Sequence, residues 1–142
     1  MTQVAEFAWP IRVYYEDTDA GGVVFYANYL RFMERARSEW LRSLGFEQDD
    51  LMRDPGVLFA VRRVEIDFQR PARFNEQLCV FSSIVAIGGA SLDFAQRIER
   101  VGDGDSLCRA SVRVACLRAK DLRPARIPAA IRDRLQANQA DN

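Results

Sequence analysis

Apolar residues recur at helical spacing in one segment of the chain and alternate with polar residues in several others. The helical segment predicts one long amphipathic helix, which begins between Val23 and Asn28 and ends at Gly45. Its apolar stripe comprises Tyr29, Phe32, Met33, Ala36, Trp40, Leu41 and Leu44. Charged side chains occupy the opposite face, so the stripe requires a covering layer.

Period-two alternation predicts five strands. They cover Trp9–Tyr15, Arg63–Gln69, Leu78–Ile87, Leu92–Glu99 and Leu107–Arg118, and we expect hairpins to join the last four. A helical turn at Gln48–Arg53 precedes these four strands. A short, exposed helix at Ala129–Leu135 and a polar tail end the chain, within residues 128–142.

This order predicts a single α+β domain over residues 1–142, because no repeat or linker divides the chain. A five-stranded antiparallel sheet wrapped around the long helix would bury the apolar stripe. Such a sheet has free strand edges, and the segment from Leu78 to Ile87 is too apolar to face water. We therefore expect a homodimer, with the active site at the subunit interface.

Composition narrows the chemistry that the chain can perform. It contains no histidine, which excludes Ser-His-Asp triads, Cys-His pairs, histidine-dependent dehydratases and histidine metal sites. Twenty basic and twenty acidic residues give a net charge of zero, so nothing draws the whole protein to nucleic acid or anionic membranes. The sequence predicts an enzyme that needs no metal or cofactor.

Two further features concern location. The three cysteines, Cys79, Cys108 and Cys116, lie in apolar segments without the close spacing of a zinc or redox motif. The N-terminus lacks the pattern of a signal peptide, and no apolar run approaches the roughly 20 residues of a membrane span. We expect a cytoplasmic protein with reduced thiols.

An acidic, glycine-rich segment precedes the long helix. Backbone amides at a helix start carry a partial positive charge of about half an elementary charge, which stabilises an oxyanion. A carboxylate beside them is therefore suited to cleaving an activated acyl bond. Helix capping is the alternative role for such residues. It is retained for Glu16 and Asp17, whereas Gly21-Gly22 and Val23-Val24 separate Asp19 from the predicted helix start.

The segment Val13–Tyr29, which reads VYYEDTDAGGVVFYANY, and the continuation Phe32–Arg37 resemble the hotdog-fold acyl-CoA thioesterases. The resemblance is to the YbgC branch of the 4-hydroxybenzoyl-CoA thioesterase family and covers nearly the whole chain. It implies a hotdog fold and hydrolysis of acyl-CoA thioesters to free acid and CoA. It also implies that dimers pair into a tetramer.

The same resemblance implies roles for individual residues. Asp19 would be the essential carboxylate, as nucleophile or as general base on water, and the backbone amide of Tyr26 would polarise the thioester carbonyl. Tyr15 would line the site, and we expect Gly22 and Val23 to contact the substrate. Members of the branch usually carry histidine where this chain has Tyr26, whereas aromatic-acyl thioesterases carry tyrosine there. The acyl preference therefore stays open.

Basic residues after the last strand are candidates for binding the CoA phosphates, although a solvated charge run is the alternative interpretation. They are Arg118, Lys120, Arg123 and Arg126, with Arg62-Arg63 as another location. A second function is also consistent with the sequence: a binding partner of acyl carrier protein or of lipid synthesis, with little turnover. The arginine-rich C-terminal segment would then contact the acidic carrier.

Overall fold

The computed structural model describes residues 6–138, which form one antiparallel sheet and three α-helices. The strands are β1 (Phe7–Arg12), β2 (Val57–Phe68), β3 (Gln77–Ile87), β4 (Ser91–Arg100) and β5 (Ser106–Arg118). The helices are α1 (Tyr26–Ser43), α2 (Gln48–Arg53) and α3 (Ala129–Ala137). The order in the sheet is β1-β3-β4-β5-β2, and the long helix packs on this sheet. This arrangement is the predicted hotdog fold.

Helix α1 buries the apolar stripe that the sequence predicted. Phe32, Met33 and Ala36 are fully inaccessible to solvent, and Tyr29 and Trp40 are nearly so. They pack against inward-facing side chains of the central strands in one continuous core. Each large apolar side chain buried in this way contributes roughly 1.5–3 kcal/mol, so helix and sheet depend on each other for stability.

The first strand is shorter than predicted. It ends at Arg12 rather than Tyr15, although the N–H of Val13 still donates to the carbonyl of Glu76 just before β3. The following residues, Tyr15–Asp17, form a single 3₁₀ turn. Alternation of apolar side chains across this point therefore did not indicate continued strand pairing.

The predicted chain of hairpins is wrong at one connection. The hairpins β3–β4 and β4–β5 are present, but β2 pairs with β5 instead of β3. Residues 69–76 carry the chain from the edge strand β2 across the sheet to β3, which lies between β1 and β4. Strand β2 also begins at Val57, before the predicted Arg63, and a bulge between Val61 and Arg63 interrupts its alternation. This irregularity explains why the first half of β2 did not read as a strand.

Helix α3 is not an exposed appendage, contrary to the prediction. Ile131 and Leu135, one turn apart, are buried against the core. The guanidinium of Arg132 donates to the carbonyl of Gly88 at 2.6 Å, and that of Arg134 to the carbonyl of Leu44 at 3.0 Å. The helix therefore covers one end of the sheet. The outermost part of the predicted tail, residues 139–142, lies outside the described residues.

Strand β2 has a neighbour on one side, β5, and no other strand among residues 6–138 pairs with its second edge. Its apolar side chains Val61 and Phe68 are 48% and 49% exposed in the isolated chain. A twelve-residue edge strand with exposed apolar side chains is a surface suited to pairing with another strand. No helix of the described part is long and apolar enough to span a membrane.

Candidate active site

The acidic segment folds into a tight turn directly before α1. Thr18 and Val24 face each other in an antiparallel bridge. The N–H of Asp19 donates to the carbonyl of Val23 at 2.9 Å, and the N–H of Gly22 donates to the carbonyl of Asp19 at 3.0 Å. Gly22 has a φ of +79°, a backbone conformation that residues other than glycine rarely adopt. Asp19, Gly22 and Val23 are thus held together in one turn.

The Asp19 side chain is exposed and held by a single hydrogen bond. Its Oδ1 accepts from the N–H of Gly21 at 2.8 Å. A Cβ on Gly21 would lie 3.2 Å from Oδ1, so a glycine allows the backbone to approach the carboxylate closely. Within residues 6–138, no group donates to the second oxygen, Oδ2. This arrangement fixes the carboxylate and leaves one of its oxygens available to a ligand.

Asp17, two residues earlier, is only 5% exposed, and both of its carboxylate oxygens are occupied. Oδ1 accepts from the Asn28 side-chain amide at 2.8 Å, and Oδ2 accepts from the N–H of Tyr14 at 2.8 Å. The carbonyl of Asp17 also accepts from the N–H of Phe25 at 2.9 Å. Asp17 therefore ties the acidic turn to the first turn of α1, which is a structural role but not the helix capping that the sequence predicted.

Neither aspartate caps α1. The N-cap residue is Phe25, and no side chain bonds to the free amides there. Among residues 6–138, no backbone or side-chain group accepts a hydrogen bond from the N–H of Tyr26, the first residue of the helix. The helix thus begins with an unpaired donor and the positive end of its dipole.

Aromatic side chains surround this end of α1. The Tyr26 ring is 64% exposed and packs edge-on against Phe68 of β2, with centroids 6.2 Å apart. Tyr15 is 80% exposed and packs edge-on against Phe74 at 5.7 Å. Tyr29 is buried, and its hydroxyl accepts from the N–H of Ala72 at 2.9 Å. Burial raises the pKa of this hydroxyl, and Tyr29 is therefore a core residue rather than an exposed site residue.

The predicted phosphate-binding residues lie far from the acidic turn within one subunit. In the sheet, Arg118 is opposite Val57, whereas Tyr26 packs against Phe68 at the other end of β2. These ends of the strand are about 36 Å apart at the usual rise per residue. Arg118 forms an ion pair with Asp121 at 3.0 Å. One chain therefore does not bring Asp19 together with Arg118, Lys120 or Arg126.

Asn28 was not singled out from the sequence, although it completes the support of the acidic turn. The sequence signal was a polar residue in the first turn of a helix whose inner face is otherwise apolar. In the structure this residue is only 7% exposed. Such a residue requires a hydrogen-bond partner. The partner, Asp17, lies eleven positions earlier, beyond the reach of helical spacing rules.

The fold and the acidic turn define a hotdog protein with an exposed carboxylate in the turn before its long helix, and comparison with known sequences identifies the family. The profile of the thioesterase-like superfamily matches residues 13–135, so the chain belongs to that superfamily.

Individual relatives are similar over most of their length. The chain is 43% identical to the acyl-CoA thioester hydrolase YbgC of Escherichia coli O6:H1, over 88% of this chain and 92% of that protein. It is 42% identical to the acyl-CoA thioesterase YbgC of Haemophilus influenzae, over 86% and 88%. Among solved structures, the "Probable Thioesterase" of Bartonella henselae superimposes with a TM-score of 0.82 at 37% identity, over 87% of this chain and all of that one.

Proposed function

We propose that the protein hydrolyses acyl-CoA thioesters to a free acid and CoA. The observation that carries the proposal is the Asp19 carboxylate, which is held through one oxygen and free at the other, in the turn that leads into α1. The activity named for its relatives from E. coli and H. influenzae supports the same reaction class.

In the proposed reaction, the thioester carbonyl oxygen accepts a hydrogen bond from the unpaired N–H of Tyr26. The helix dipole then stabilises the oxyanion, and one such donor is typically worth roughly 3–4 kcal/mol of barrier. The free oxygen of Asp19 either attacks the carbonyl, giving a mixed anhydride that water cleaves, or removes a proton from an attacking water. In both routes the C–S bond breaks, and the CoA thiolate leaves and takes up a proton.

The test is thiol release from a panel of acyl-CoA thioesters by the wild type and the Asp19→Asn variant. We expect the variant to keep the fold and lose about 99% of kcat or more, because loss of the base or nucleophile costs several kcal/mol of barrier. Glu16→Gln is the matched control, since Glu16 is an exposed carboxylate in the same segment. If Asp19→Asn retains more than about a tenth of kcat, equivalent to less than about 1.4 kcal/mol, Asp19 is not the catalytic group.

We further propose that two chains pair through the free edge of β2. A two-fold axis makes such a pair antiparallel, so that the Val57 end of one strand lies beside the Phe68 end of the other. This pairing would bring the Arg118–Arg126 segment of the partner near the Tyr26 end of the first chain, and with it a set of cations for the CoA phosphates. The site would then be shared between subunits, with Asp19 facing residues 58–64 of the partner.

The alternative function, a binding partner of acyl carrier protein with little turnover, has less support. Its expected contact surface was the arginine-rich C-terminal segment. Arg132 and Arg134 instead donate to backbone carbonyls, and Arg118 is paired with Asp121. The tetramer and the cytoplasmic location stay predictions from the sequence.

A further inference from the structure

A groove runs between α1 and β2, away from the acidic turn. Three depressions follow one another along it. The first lies between Tyr26 and Phe68, the second between Leu30 and Val64, and the third is a cavity of about 190 Å³ beside Arg37. From Tyr26 to Arg37 the helix rises about 16 Å. The groove therefore leads from the proposed thioester site into the body of the protein.

The bulge in β2 lets both halves of the strand present apolar side chains to this groove. In a regular strand, alternate side chains face the helix, which selects Phe68, Ile66 and Val64. The extra residue at the bulge between Val61 and Arg63 changes the alternation, so that Val61 and Phe59 face the helix next. The side chains that β2 contributes to the groove are consequently apolar, whereas α1 contributes charged side chains beside them.

Polar side chains join the lining at the far end, among them Glu34, Ser38, Gln48 and the guanidinium of Arg37. Arg37 contacts the same cavity as Trp40, Phe59 and Phe94. Its Nη1 donates to Oε1 of Gln96 at 2.8 Å, and within residues 6–138 it forms no ion pair. Desolvation lowers the pKa of Arg37 to about 10, and the charge of nearby Glu34 opposes this shift only in part.

Gln96 is fixed in the orientation that serves Arg37. Its Nε2 donates to the Ser82 hydroxyl at 2.8 Å and to the carbonyl of Met33 at 3.1 Å, so its oxygen must point toward the guanidinium. Gln96 and Ser82 are both buried. Buried Gln96 and Ser82 thus hold the Arg37 guanidinium at the far end of the groove, and most of its N–H donors are free for a ligand.

We propose that the groove holds the acyl chain of the thioester and that Arg37 binds a carboxylate at the distal end of that chain. The preferred substrates are then thioesters of medium-length dicarboxylic acids. An anion on an apolar chain suits this site, because its carboxylate can pair with a guanidinium that forms no ion pair within residues 6–138, and its methylene groups cover the apolar side chains of β2. This inference rests on the proposed function for the position of the thioester.

Binding of two non-hydrolysable thioethers, S-carboxyundecyl-CoA and S-dodecyl-CoA, tests the site without catalysis. By calorimetry we expect the carboxylated thioether to bind the wild type about tenfold more tightly, the effect of one charge-assisted interaction. Arg37→Gln should bring the ratio near one, whereas Arg37→Lys, which keeps the charge, should retain part of it. Arg35→Gln is the matched control, because Arg35 is exposed on the opposite face of α1. It should leave the ratio unchanged.

Hydrolysis of dodecanedioyl-CoA and dodecanoyl-CoA separates this inference from the proposed function. We expect Arg37→Gln to lower kcat/KM about tenfold for dodecanedioyl-CoA and less than about twofold for dodecanoyl-CoA. If both thioesters are hydrolysed but neither assay shows an Arg37-dependent preference, the inference is overturned and the function stands. If the thioethers discriminate but no thioester is cleaved, the function is wrong and the binding site stands. A change in subunit assembly with an unchanged binding ratio would assign Arg37 to the interface and also overturn the inference.

Discussion

Exchanging Asp17 and Asn28 should show whether the buried hydrogen bonds behind the acidic turn position the site. In the native protein, the Asp17 carboxylate accepts from the Asn28 amide and from the N–H of Tyr14, each at 2.8 Å. Asp17→Asn places an amide NH₂ opposite one of these two donors. In Asn28→Asp, two carboxylates face each other. The double variant restores both bonds, because the amide introduced at position 17 can accept from Tyr14 and donate to the carboxylate introduced at position 28.

The magnitudes follow from this geometry. A hydrogen bond to a charged group contributes about 1.5–3 kcal/mol, and a buried donor left without a partner costs a similar amount. Each single variant should therefore lose about 3 kcal/mol of unfolding free energy. The double variant should lose less than about 1 kcal/mol, helped by the favourable position of an aspartate in the first turn of a helix. The coupling energy of the cycle, the double-variant loss minus both single-variant losses, then has a magnitude of at least about 5 kcal/mol.

Urea unfolding and steady-state hydrolysis measure the two consequences. Because the turn also carries Asp19, the single variants should lose kcat more than they raise KM, and the double variant should recover most of kcat. Glu16→Gln, at the neighbouring exposed carboxylate, should change neither stability nor kcat. If the double variant is as unstable as the sum of the two single variants, the pair is not coupled and the positioning role is refuted.

Three other outcomes are expected. Tyr26→Phe should change kcat less than tenfold, about 1.4 kcal/mol, because the proposed contribution is the backbone amide; a larger loss would assign a role to the hydroxyl. Light scattering should show a dimer at micromolar concentration, and a fully active monomer would refute the proposal of a site shared between subunits. Burial raises the pKa of Cys108 to about 12, so mass spectrometry should find it unalkylated in native protein and alkylated in urea; rapid native labelling would contradict its burial.

Local periodicity predicted those parts of the fold that local interactions determine. Helix α1 was found from its stripe, and the hairpins β3–β4 and β4–β5 were found because short glycine-containing links restrict their pairing. The position of β2 depends on pairing with β5, which lies far along the chain and for which the sequence has no local signal. The bulge after Val61 also interrupts the alternation of β2, so the first half of that strand was not predicted.

The candidate site divides in the same way. The turn around Asp19 was visible because its glycines and carboxylates are adjacent in the chain. Asn28 and Gln96 could not be assigned, since their partners Asp17, Arg37 and Ser82 become neighbours only after folding. The separation of Arg118 from the acidic turn follows from strand direction, which composition does not reveal. The C-terminal helix was predicted, but its packing against the core was not, because two buried residues are too few to form a recognisable apolar stripe.

The two aspartates of the turn illustrate why residue type alone does not define a catalytic group. Both precede α1, and they are two positions apart, so residue type does not distinguish them. Asp17 has both oxygens engaged inside the protein, and any attack by it would first require breaking bonds that hold the turn. Asp19 is held through one oxygen at the surface, which orients the other without consuming it. A nucleophile or base needs an accessible lone pair in a fixed direction, and of these two carboxylates Asp19 meets that condition.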